Sequence, residues 1–510
     1  MEAYEHGLIA ARRLAATQLS PGSRLHSLAL HGSQFSRAAY ALARAGRLTD
    51  AVVVLEQNRT RLLSESTGRD AADLGGLDRI GKGRLRRRFS EAAARLRLLE
   101  LPRPEGAPSI TEAEARRARA DFDEVVAEIR RLPGYERLLS PPDVADLRLE
   151  ALPAPVVFLV ATVWGGMALA AGAGRAPAVI WLPALDETVV HARVSAYLDV
   201  YGDRTSGAAW QAAVDEITQW SWESMIGPVL AALPGEEHLI LVPTQLLGLL
   251  PLHAAWHGTG ARHYACDDVL LTYGANIRLL HREPRPVATV LTVGPPPSTL
   301  APLPYASREI PYVQAAFPRH RALVDEAATV GNVLAEAGRH DVLHLACHGL
   351  THPTEPLDSG LLLAGDQWLT LPRLLTGGAL RGRLAVLSAC ETALAHPQSG
   401  DEALTLPGVL LSTGLSGAIG SLWAVPDLST ALLMARFYSL WPGREPSPAR
   451  ALRQAQRWLR DSTNAEKLAA FPGLLGDVFD ALPAAARTLW GRARQHAHPY
   501  HWAGFVYYGA

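Results

Sequence analysis

Two segments of the sequence place a chemically reactive side chain directly after a short apolar run. The run from Val342 to Cys347 is followed by His348, and the run from Leu384 to Ala389 is followed by Cys390. If these runs are neighbouring parallel strands, their carboxyl ends meet at one edge of a sheet, where ligands of open parallel sheets bind. A cysteine nucleophile needs a general base such as imidazole beside it. The sequence therefore predicts a thiol nucleophile, Cys390, with His348 as its base.

The backbone around these two residues suits the same chemistry. The N–H groups of Gly349 and of Cys390 itself could form an oxyanion hole for a substrate carbonyl. A glycine after the histidine lets a substrate backbone approach closely. Cys390 is also expected where a strand gives way to a helix or turn, and a helix N-terminus together with an imidazolium favours the thiolate.

The other two cysteines and a nearby histidine are predicted to be structural. Cys347 points to the strand face opposite that of His348 and is expected to be a small buried hydrophobe. Cys266 has no comparable histidine motif after it, and the two aspartates that follow it would raise its thiol pKa. His344 shares the strand face of His348. It is expected to be buried and hydrogen-bonded rather than a zinc ligand, because H-x-x-x-H here lacks the middle glutamate and lies in a strand.

Short apolar strands alternate with helical stretches from about Leu152 onward. Runs such as VVFLVATV, HLILVP, VATVLTVG, DVLHLACHG, LAVLSAC and GAIGSLWAV predict a mostly parallel sheet covered on both faces, and therefore an α/β fold. The first run belongs to an uncharged stretch, 156–174, whose length approaches that of a membrane span. Because Gly165-Gly166 divides this stretch, we expect a β-hairpin with a Gly-Gly turn instead.

Residues 1–150 are predicted to be α-helical. The segment from Arg37 to Leu63 contains two short helices around a glycine, with small residues at helical spacing, and resembles one tetratricopeptide unit. Gly7 to Leu19 is expected to be the second helix of a preceding unit. Two longer amphipathic helices are expected at Arg84–Leu101 and Thr111–Leu132.

Composition limits the kinds of partner and compartment. The chain has 510 residues, with 49 lysines and arginines against 50 aspartates and glutamates, so its formal charge is −1. This balance argues against a nucleic-acid binder that depends on a bulk basic surface, and leaves a protein as the expected partner. Three cysteines without a C-x-x-C pair exclude a disulfide framework and a zinc knuckle, which favours a cytoplasmic location. The first twenty residues contain no long apolar core, so neither secretion nor a membrane is expected.

Several ordered motifs resemble those of CHAT peptidases, a branch of the caspase and separase clan. They are HLACHG with PLDSGLLLAG, LSACETA, SLWAVPD and the final HPYHWAGFVYYG, and the segments LILVPTQLLGLLPLHAA and LPYASREIPYVQAAFP match as well. The resemblance covers about residues 150–510. It implies a caspase-like fold with His348 and Cys390 as the catalytic dyad. Where relatives often have a glycine-rich GGDG stretch, this chain has Ser399-Gly400-Asp401-Glu402.

The resemblance also implies a division into three regions. Residues 1–150 would form a tetratricopeptide-like helical region, since helical repeats commonly precede such a domain. Residues 151–293 would form a front, pseudo-protease-like part of the CHAT domain, and residues 294–510 its caspase-like protease part. The proline-rich stretch GPPPSTLAPLP, which begins at Gly294, is the predicted joint between the two parts.

Five further residues are candidates for the substrate cleft: Asp358, Ser359, Glu391, Trp423 and Asp427. Trp423 and Asp427 follow the strand after the nucleophile's helix, where caspase-like folds line their cleft. Two interpretations stay open for this pair, since Trp423 could equally be a core residue and Asp427 a helix cap. Glu391 could orient a loop or favour the start of the helix that follows Cys390.

The expected function is that of a cytoplasmic cysteine endopeptidase that cleaves a protein partner and needs no metal or organic cofactor. An abundance of arginine over lysine suggests a GC-rich bacterial genome. The resemblance implies regulation by a protein partner, because some relatives are inactive until a partner binds. The main alternative is a helical-repeat scaffold whose caspase-like domain only binds proteins. An acyltransferase that uses the same thiol is a third interpretation.

Overall fold

The computed structural model describes residues 21–59, 74–100, 111–203, 207–282, 285–352, 356–377, 380, 382–393 and 405–510. The predicted helix Gly7–Leu19 and the segment Ser399–Glu402 lie outside the described residues. Within the described part, helices precede a large sheet that has helices on both faces. This arrangement confirms the predicted α/β class, with a mostly parallel sheet preceded by a helical region.

Helices occupy the described residues before the sheet: α1 (Pro21–Arg44), α2 (Leu48–Asn58), α3 (Gly75–Arg79), α4 (Gly83–Glu100), α5 (Glu112–Arg130) and α6 (Val144–Leu147). The chain reverses between α1 and α2 at Gly46, whose φ of +76° is readily adopted by glycine. The rings of Phe89 and Phe122 pack 5.4 Å apart between α4 and α5. These two helices are the amphipathic pair that the sequence predicts. The tetratricopeptide-like character of the region stays a prediction.

One sheet contains eleven of the strands in the described part of the chain. In chain order the strands are β1 (Val156–Thr162), β2 (Gly165–Gly172), β3 (Arg175–Leu182), β4 (His238–Pro243), β5 (Trp256–His257), β6 (His263–Tyr264), β7 (Leu270–Tyr273), β8 (Thr289–Val293), β9 (Arg319–Leu323), β10 (Val342–Leu345), β11 (Gly349–Leu350), β12 (Gly360–Leu363), β13 (Gln367–Thr370), β14 (Leu384–Leu387), β15 (Gly417–Ser421) and β16 (Phe505–Gly509). The large sheet has the order β3-β2-β1-β4-β7-β16-β15-β14-β10-β8-β9. A smaller sheet contains β11, β12 and β13, and β5 pairs with β6.

Most neighbouring strands of the large sheet are parallel. β1, β4 and β7 form one parallel group, and β9, β8, β10, β14 and β15 form another. The C-terminal strand β16 lies between the groups, antiparallel to β15 and parallel to β7. The two groups are therefore joined in one continuous sheet. The domain boundary expected between residues 293 and 294 stays a prediction.

Helices cover both faces of this sheet. They are α7 (Glu187–Asp203), α8 (Gly207–Ser221), α9 (Gly227–Ala232), α10 (Ala265–Asp268), α11 (Pro304–Ala315), α12 (Val330–Ala337), α13 (Leu371–Thr376), α14 (Leu406–Thr413), α15 (Asp427–Leu440), α16 (Pro448–Asp461), α17 (Asn464–Ala470), α18 (Pro472–Asp480), α19 (Ala484–Arg492) and α20 (Pro499–Trp502). One core contains Phe437 and Trp441 around α15, and the other contains Val333, Leu374 and Leu410 from α12, α13 and α14. β10, β14 and β15 are buried throughout, and accordingly their sequences VLHL, LAVL and GAIGS contain no aspartate, glutamate, lysine or arginine.

β1 and β2 form the predicted hairpin and pair antiparallel along their length. The expected position of the turn is wrong, because Val163 and Trp164 make the two-residue turn and the glycines begin β2. Gly165 has a φ of +108°, and a side chain on Gly166 would collide with Leu185. The glycines are therefore needed for backbone conformation and close packing beside the turn. Across the described residues, no helix combines the length and apolarity that a bilayer crossing requires.

Two buried charged residues join the N-terminal helices to the sheet region. Arg59, which follows α2, donates from Nε to the Ala275 carbonyl and from Nη1 to the Pro243 carbonyl, both at 2.8 Å. The Glu56 carboxylate accepts from the Ile277 N–H at 2.9 Å. Burial raises the pKa of Glu56, whereas these backbone bonds and the Arg59 charge favour its carboxylate. The pair thus provides hydrogen-bond partners for buried backbone groups near the end of the parallel strands.

Replacing Arg59 is expected to weaken this attachment. In an Arg59→Ala variant, two buried carbonyls lose their donors, so we expect the free energy of unfolding to fall by at least about 2 kcal/mol. The matched control is Arg47→Ala, since Arg47 makes an exposed ion pair with Asp50 at 2.6 Å. Its effect should stay within about 0.5 kcal/mol. Urea unfolding of both variants measures the difference, and equal shifts would contradict the attachment.

Acidification is expected to destabilise the fold through neutral buried histidines. Burial lowers the pKa of His253 to about 4, from an ordinary value of 6.5. Between these values the unfolded chain binds more protons than the folded chain, so stability falls as the pH falls through this window. From pH 7 to pH 5 the contribution of His253 should drop by about 1 to 2 kcal/mol. Urea unfolding should show a shallower pH dependence for His253→Gln than for the parent. The exposed His320→Gln control should retain the parental dependence.

Candidate active site

Strands β10 and β14 are neighbours in the sheet and run parallel. Their paired residues are 42 positions apart, and in the last pair Leu345 lies opposite Leu387. His348 and Cys390 have the same separation in sequence. Both residues therefore come three positions after the last paired residues, at the same carboxyl edge of the sheet.

The two chain segments stay in contact beyond their strands. Gly349 packs so closely against the Cys390 carbonyl oxygen that any Cβ there would collide with it. The Thr351 hydroxyl donates a hydrogen bond to the Glu391 carbonyl at 2.8 Å. The structure thus brings the segments that carry His348 and Cys390 together.

His348 is half-buried and has a hydrogen-bond partner from a distant segment. Its Nε2 lies 2.9 Å from the carbonyl oxygen of Ala301. A carbonyl can only accept, so Nε2 carries the hydrogen and Nδ1 of the neutral ring is left as the basic nitrogen. Ala301 lies in the proline-rich stretch that the sequence identifies only as a joint. That stretch therefore also orients the imidazole.

The three cysteines, all of which are among the described residues, differ in their exposure. Cys390 is partly accessible to solvent, whereas Cys266 and Cys347 are buried. Burial raises the pKa of Cys347 to about 12, and the neighbouring Cys390 adds to the effect. Burial, followed by the charge of Asp267, raises the pKa of Cys266 to about 12 as well. Both buried thiols are therefore protonated at neutral pH, as predicted, although for Cys266 burial outweighs the neighbouring aspartate.

The backbone N–H of Gly349 points away from strand β12. Gly349 lies opposite Leu361 in the antiparallel pair β11 and β12. The Leu362 N–H donates to the His348 carbonyl at 2.9 Å, which makes Gly349 and Leu361 a non-hydrogen-bonded pair. In such a pair the N–H groups point away from the partner strand, so the Gly349 N–H is not used in this ladder.

Glu391 connects the segment after Cys390 to a helix far away in sequence. Its backbone has a φ of +58°, a left-handed conformation that is unfavourable for glutamate. Its buried carboxylate accepts a hydrogen bond from the Tyr201 hydroxyl at 2.5 Å, over a separation of 190 residues. Glu391 thus orients the loop that follows Cys390, one of the two roles that the sequence leaves open for it.

Asp427 begins helix α15 and also caps a second helix. Its Oδ2 accepts from the Tyr305 N–H, at the start of α11, at 2.8 Å. Burial raises the pKa of Asp427, whereas the Tyr305 N–H and the nearby His348 favour its carboxylate. The smallest of these effects is that of His348, which carries its charge on the imidazole. Asp427 is therefore a helix cap, one of the two interpretations left open by the sequence, and the helix that it caps is α11.

The remaining three cleft candidates lie in different settings. Trp423 is fully buried and its Nε1 donates to the Tyr500 carbonyl at 3.1 Å, so it is a core residue. Ser359 is buried, and its Oγ accepts from the His352 N–H at 3.0 Å. This bond holds the loop that follows His348. Asp358 is exposed at the end of a short helical turn, Pro356–Asp358.

His344 is the buried, hydrogen-bonded histidine that the sequence predicts. Its Nε2 lies 3.0 Å from Glu309 Oε1, and both side chains are fully buried. Its Nδ1 lies 3.3 Å from the Tyr438 hydroxyl. Through these contacts His344 attaches β10, the strand that precedes His348, to α11 and α15.

Sequence reasoning missed two residues that support this site, Ala301 and Tyr201. Ala301 acts through its carbonyl, which every residue type carries, so no side-chain pattern could identify it. Tyr201 lies in α7, in the expected front part, far from any motif of the site. A recognisable signal exists in neither case, because both contacts depend on how distant segments pack.

Comparison with protein families identifies one match. A family model described as CHAT domain matches residues 215–510. This range contains the whole candidate site except for Tyr201, and it leaves the N-terminal helices and the hairpin outside. A comparison with curated proteins finds no match.

Solved structures with similarity to this chain include a separase and a bacterial proteinase. The Saccharomyces cerevisiae separase–securin complex has a TM-score of 0.47 at 11% identity, over 91% of this chain and 37% of that chain. The complex of Porphyromonas gingivalis RgpB pro- and mature domains has a TM-score of 0.32 at 9% identity, over 63% of this chain and 76% of that chain. The Arg-specific cysteine proteinase gingipain R has a TM-score of 0.31 at 9% identity, over 63% of this chain and 75% of that chain. This chain therefore spans less than half the length of the separase.

The contact between Gly349 and Cys390 predicts a strong effect of a single methyl group. In Gly349→Ala the added Cβ collides with a backbone oxygen, so the Cys390 segment must shift, at a cost of about 1–3 kcal/mol in unfolding free energy. The shift should also change the rate at which iodoacetamide alkylates Cys390. Gly331→Ala in α12 is the matched control, because a Cβ there meets no atom within 4 Å. A Gly349→Ala variant that resembles this control in both measurements would contradict the close contact.

Proposed function

The chain belongs to the CHAT domain family, and we propose that it is a cysteine endopeptidase that cleaves a protein partner with a dyad of Cys390 and His348. The observation that carries the proposal is the register of β10 and β14, which leads both residues to one carboxyl edge of the sheet. Partial exposure of Cys390 supports its role as nucleophile, since the other two thiols are buried and protonated.

In the proposed mechanism, His348 acts first as a base and then as an acid. Nδ1 removes the proton from the Cys390 thiol, and Sγ forms a bond to the carbonyl carbon of the scissile peptide. The tetrahedral intermediate collapses as the C–N bond breaks, and the imidazolium gives its proton to the leaving amine. Water, deprotonated by His348, then attacks the thioester, the C–S bond breaks, and the thiol recovers its proton.

Two backbone features support this assignment. The Ala301 carbonyl, 2.9 Å from Nε2, holds the ring in the tautomer that leaves Nδ1 basic, and it stabilises the imidazolium once formed. The N–H groups of Gly349 and Cys390 are the proposed donors to the negative oxygen of the tetrahedral intermediate. The Gly349 N–H is suited to this role because the β11–β12 ladder does not use it.

We place the substrate on the carboxyl edge of the sheet, between the loop after His348 and the segment that begins at Asp427. Asp427, whose carboxylate His348 favours, and Asp358, exposed between β11 and β12, are the proposed polar contacts for the peptide. The other three candidates are buried, so they would support the walls of the cleft without contacting the peptide: Ser359, Glu391 and Trp423. Three free cysteines are typical of a reducing compartment, which favours the cytoplasm, and the proposed mechanism needs no cofactor. Regulation by a second protein is part of the proposal.

Replacing the nucleophile tests the proposal directly. A Cys390→Ala variant should lose cleavage of a proteome-derived protein library by about 10³-fold or more, because no other group replaces the thiol. Mass spectrometry of newly formed termini measures this loss. Cys266→Ala is the matched control and should retain parental cleavage, since Cys266 is buried in α10, where its charged neighbours are Asp267 and arginines of α16.

A second measurement separates the peptidase from the scaffold. Iodoacetamide should alkylate Cys390 of the parent protein much faster than the two buried cysteines, and His348→Ala should slow that reaction. Cleavage that persists in Cys390→Ala would contradict the proposed nucleophile. A parent that cleaves no protein and shows no preferential alkylation of Cys390 would favour the helical-repeat scaffold.

A further inference from the structure

One hydroxyl group joins the two segments that border the thiol. The Tyr201 hydroxyl donates to Glu391 Oε1 at 2.5 Å and accepts from the Ala424 N–H at 2.9 Å. Glu391 directly follows Cys390, and Ala424 lies between β15 and the start of α15. A single side chain from α7 therefore fastens the segment after the thiol to the segment after the next strand of the sheet.

The segment after Cys390 needs such an attachment. Glu391 has a φ of +58°, so its backbone would relax to another conformation if its surroundings allowed it. Two hydrogen bonds oppose that relaxation, one from Thr351 to the Glu391 carbonyl and one from Tyr201 to its carboxylate. Any rotation about Glu391 also moves the carbonyl and the side chain of Cys390, because the two residues share a peptide bond.

Aromatic packing sets the position of the Tyr201 hydroxyl independently of the thiol. The ring of Tyr201 lies 4.8 Å from that of Trp210 in α8, and Tyr197, one turn earlier in α7, lies 4.7 Å from the same ring. Trp210 in turn packs edge-on against Trp423 at 6.0 Å. Helices α7 and α8 thus place the hydroxyl, and the two loops attach to it.

We propose that Tyr201 is a positioning residue for the nucleophile, and that it makes the reactivity of Cys390 depend on the position of α7. The inference rests on the proposed function in one respect, that Cys390 is the attacking group. Hydrogen bonds weaken steeply when the geometry changes, so a small displacement of α7 weakens the attachment of both segments.

The test removes the hydroxyl and keeps the ring. In Tyr201→Phe the second-order rate constant for alkylation of Cys390 by iodoacetamide should fall by about 5- to 20-fold, through the loss of two hydrogen bonds. For a cleavable protein the loss should fall on kcat more than on KM. Tyr197→Phe is the matched control, because it removes a buried tyrosine hydroxyl from the same helix and the same aromatic cluster. Its alkylation rate should remain within about twofold of the parent.

A conservative change in the partner separates positioning from general destabilisation. Glu391→Gln keeps a carbonyl acceptor for the Tyr201 hydroxyl, so it should retain more of the alkylation rate than Glu391→Ala. Tyr201→Phe combined with Glu391→Ala should lose little more than Tyr201→Phe alone, since Tyr201→Phe already breaks the bond to Glu391. Thermal unfolding identifies any variant whose fold is impaired, and the comparison uses only variants with parental melting temperatures.

The outcomes distinguish this inference from the proposed function. Equal alkylation rates in Tyr201→Phe and Tyr197→Phe would overturn the positioning role, whether or not the parent cleaves protein. Slower alkylation in Tyr201→Phe alone would support it even if the parent cleaves nothing, in which case only the endopeptidase proposal fails. Additive losses in the double variant would also overturn it.

Discussion

The parallel pairing of β10 with β14 is the constraint on which the rest of the molecule depends. Each strand has four residues, all buried, so the pair is stable only when helices cover both faces of the sheet. Helices α11 and α15 on one side and α12 to α14 on the other provide that cover. The reactive side chains lie beyond the buried strands, since His348 and Cys390 both follow the carboxyl ends of this strand pair.

Contacts from remote segments hold the loops at the carboxyl edge of the large sheet, in addition to the pairing of β11 with β12. Ala301 binds the imidazole from the proline-rich stretch, Asp427 caps α11 from the start of α15, and Tyr201 holds Glu391 from α7. Each of these contacts uses a backbone group or a side chain that is at least partly buried. The same bonds that satisfy buried polar groups therefore set the geometry around the thiol.

The last strand and the N-terminal helices make the site part of a larger whole. β16 completes the sheet between its two parallel groups, so the strands near α7 and the strands near Cys390 share one hydrophobic core. Glu56 and Arg59 attach α2 to the parallel group of β1, β4 and β7 through buried backbone groups. The N-terminal helices and α7 therefore pack on the same continuous sheet whose edge carries Cys390.

The sequence by itself determined the α/β class, the strands that carry His348 and Cys390, and the burial of Cys347 and His344. Those features follow from unbroken apolar runs and strand alternation, which are local in the chain. Tertiary structure alone decided that β16 separates the two parallel groups, that Ala301 and Tyr201 serve the site, and that the hairpin turns at Val163 and Trp164. These outcomes depend on packing between residues far apart in sequence, such as the 190 positions between Tyr201 and Glu391, and such packing leaves no periodic signal in either segment.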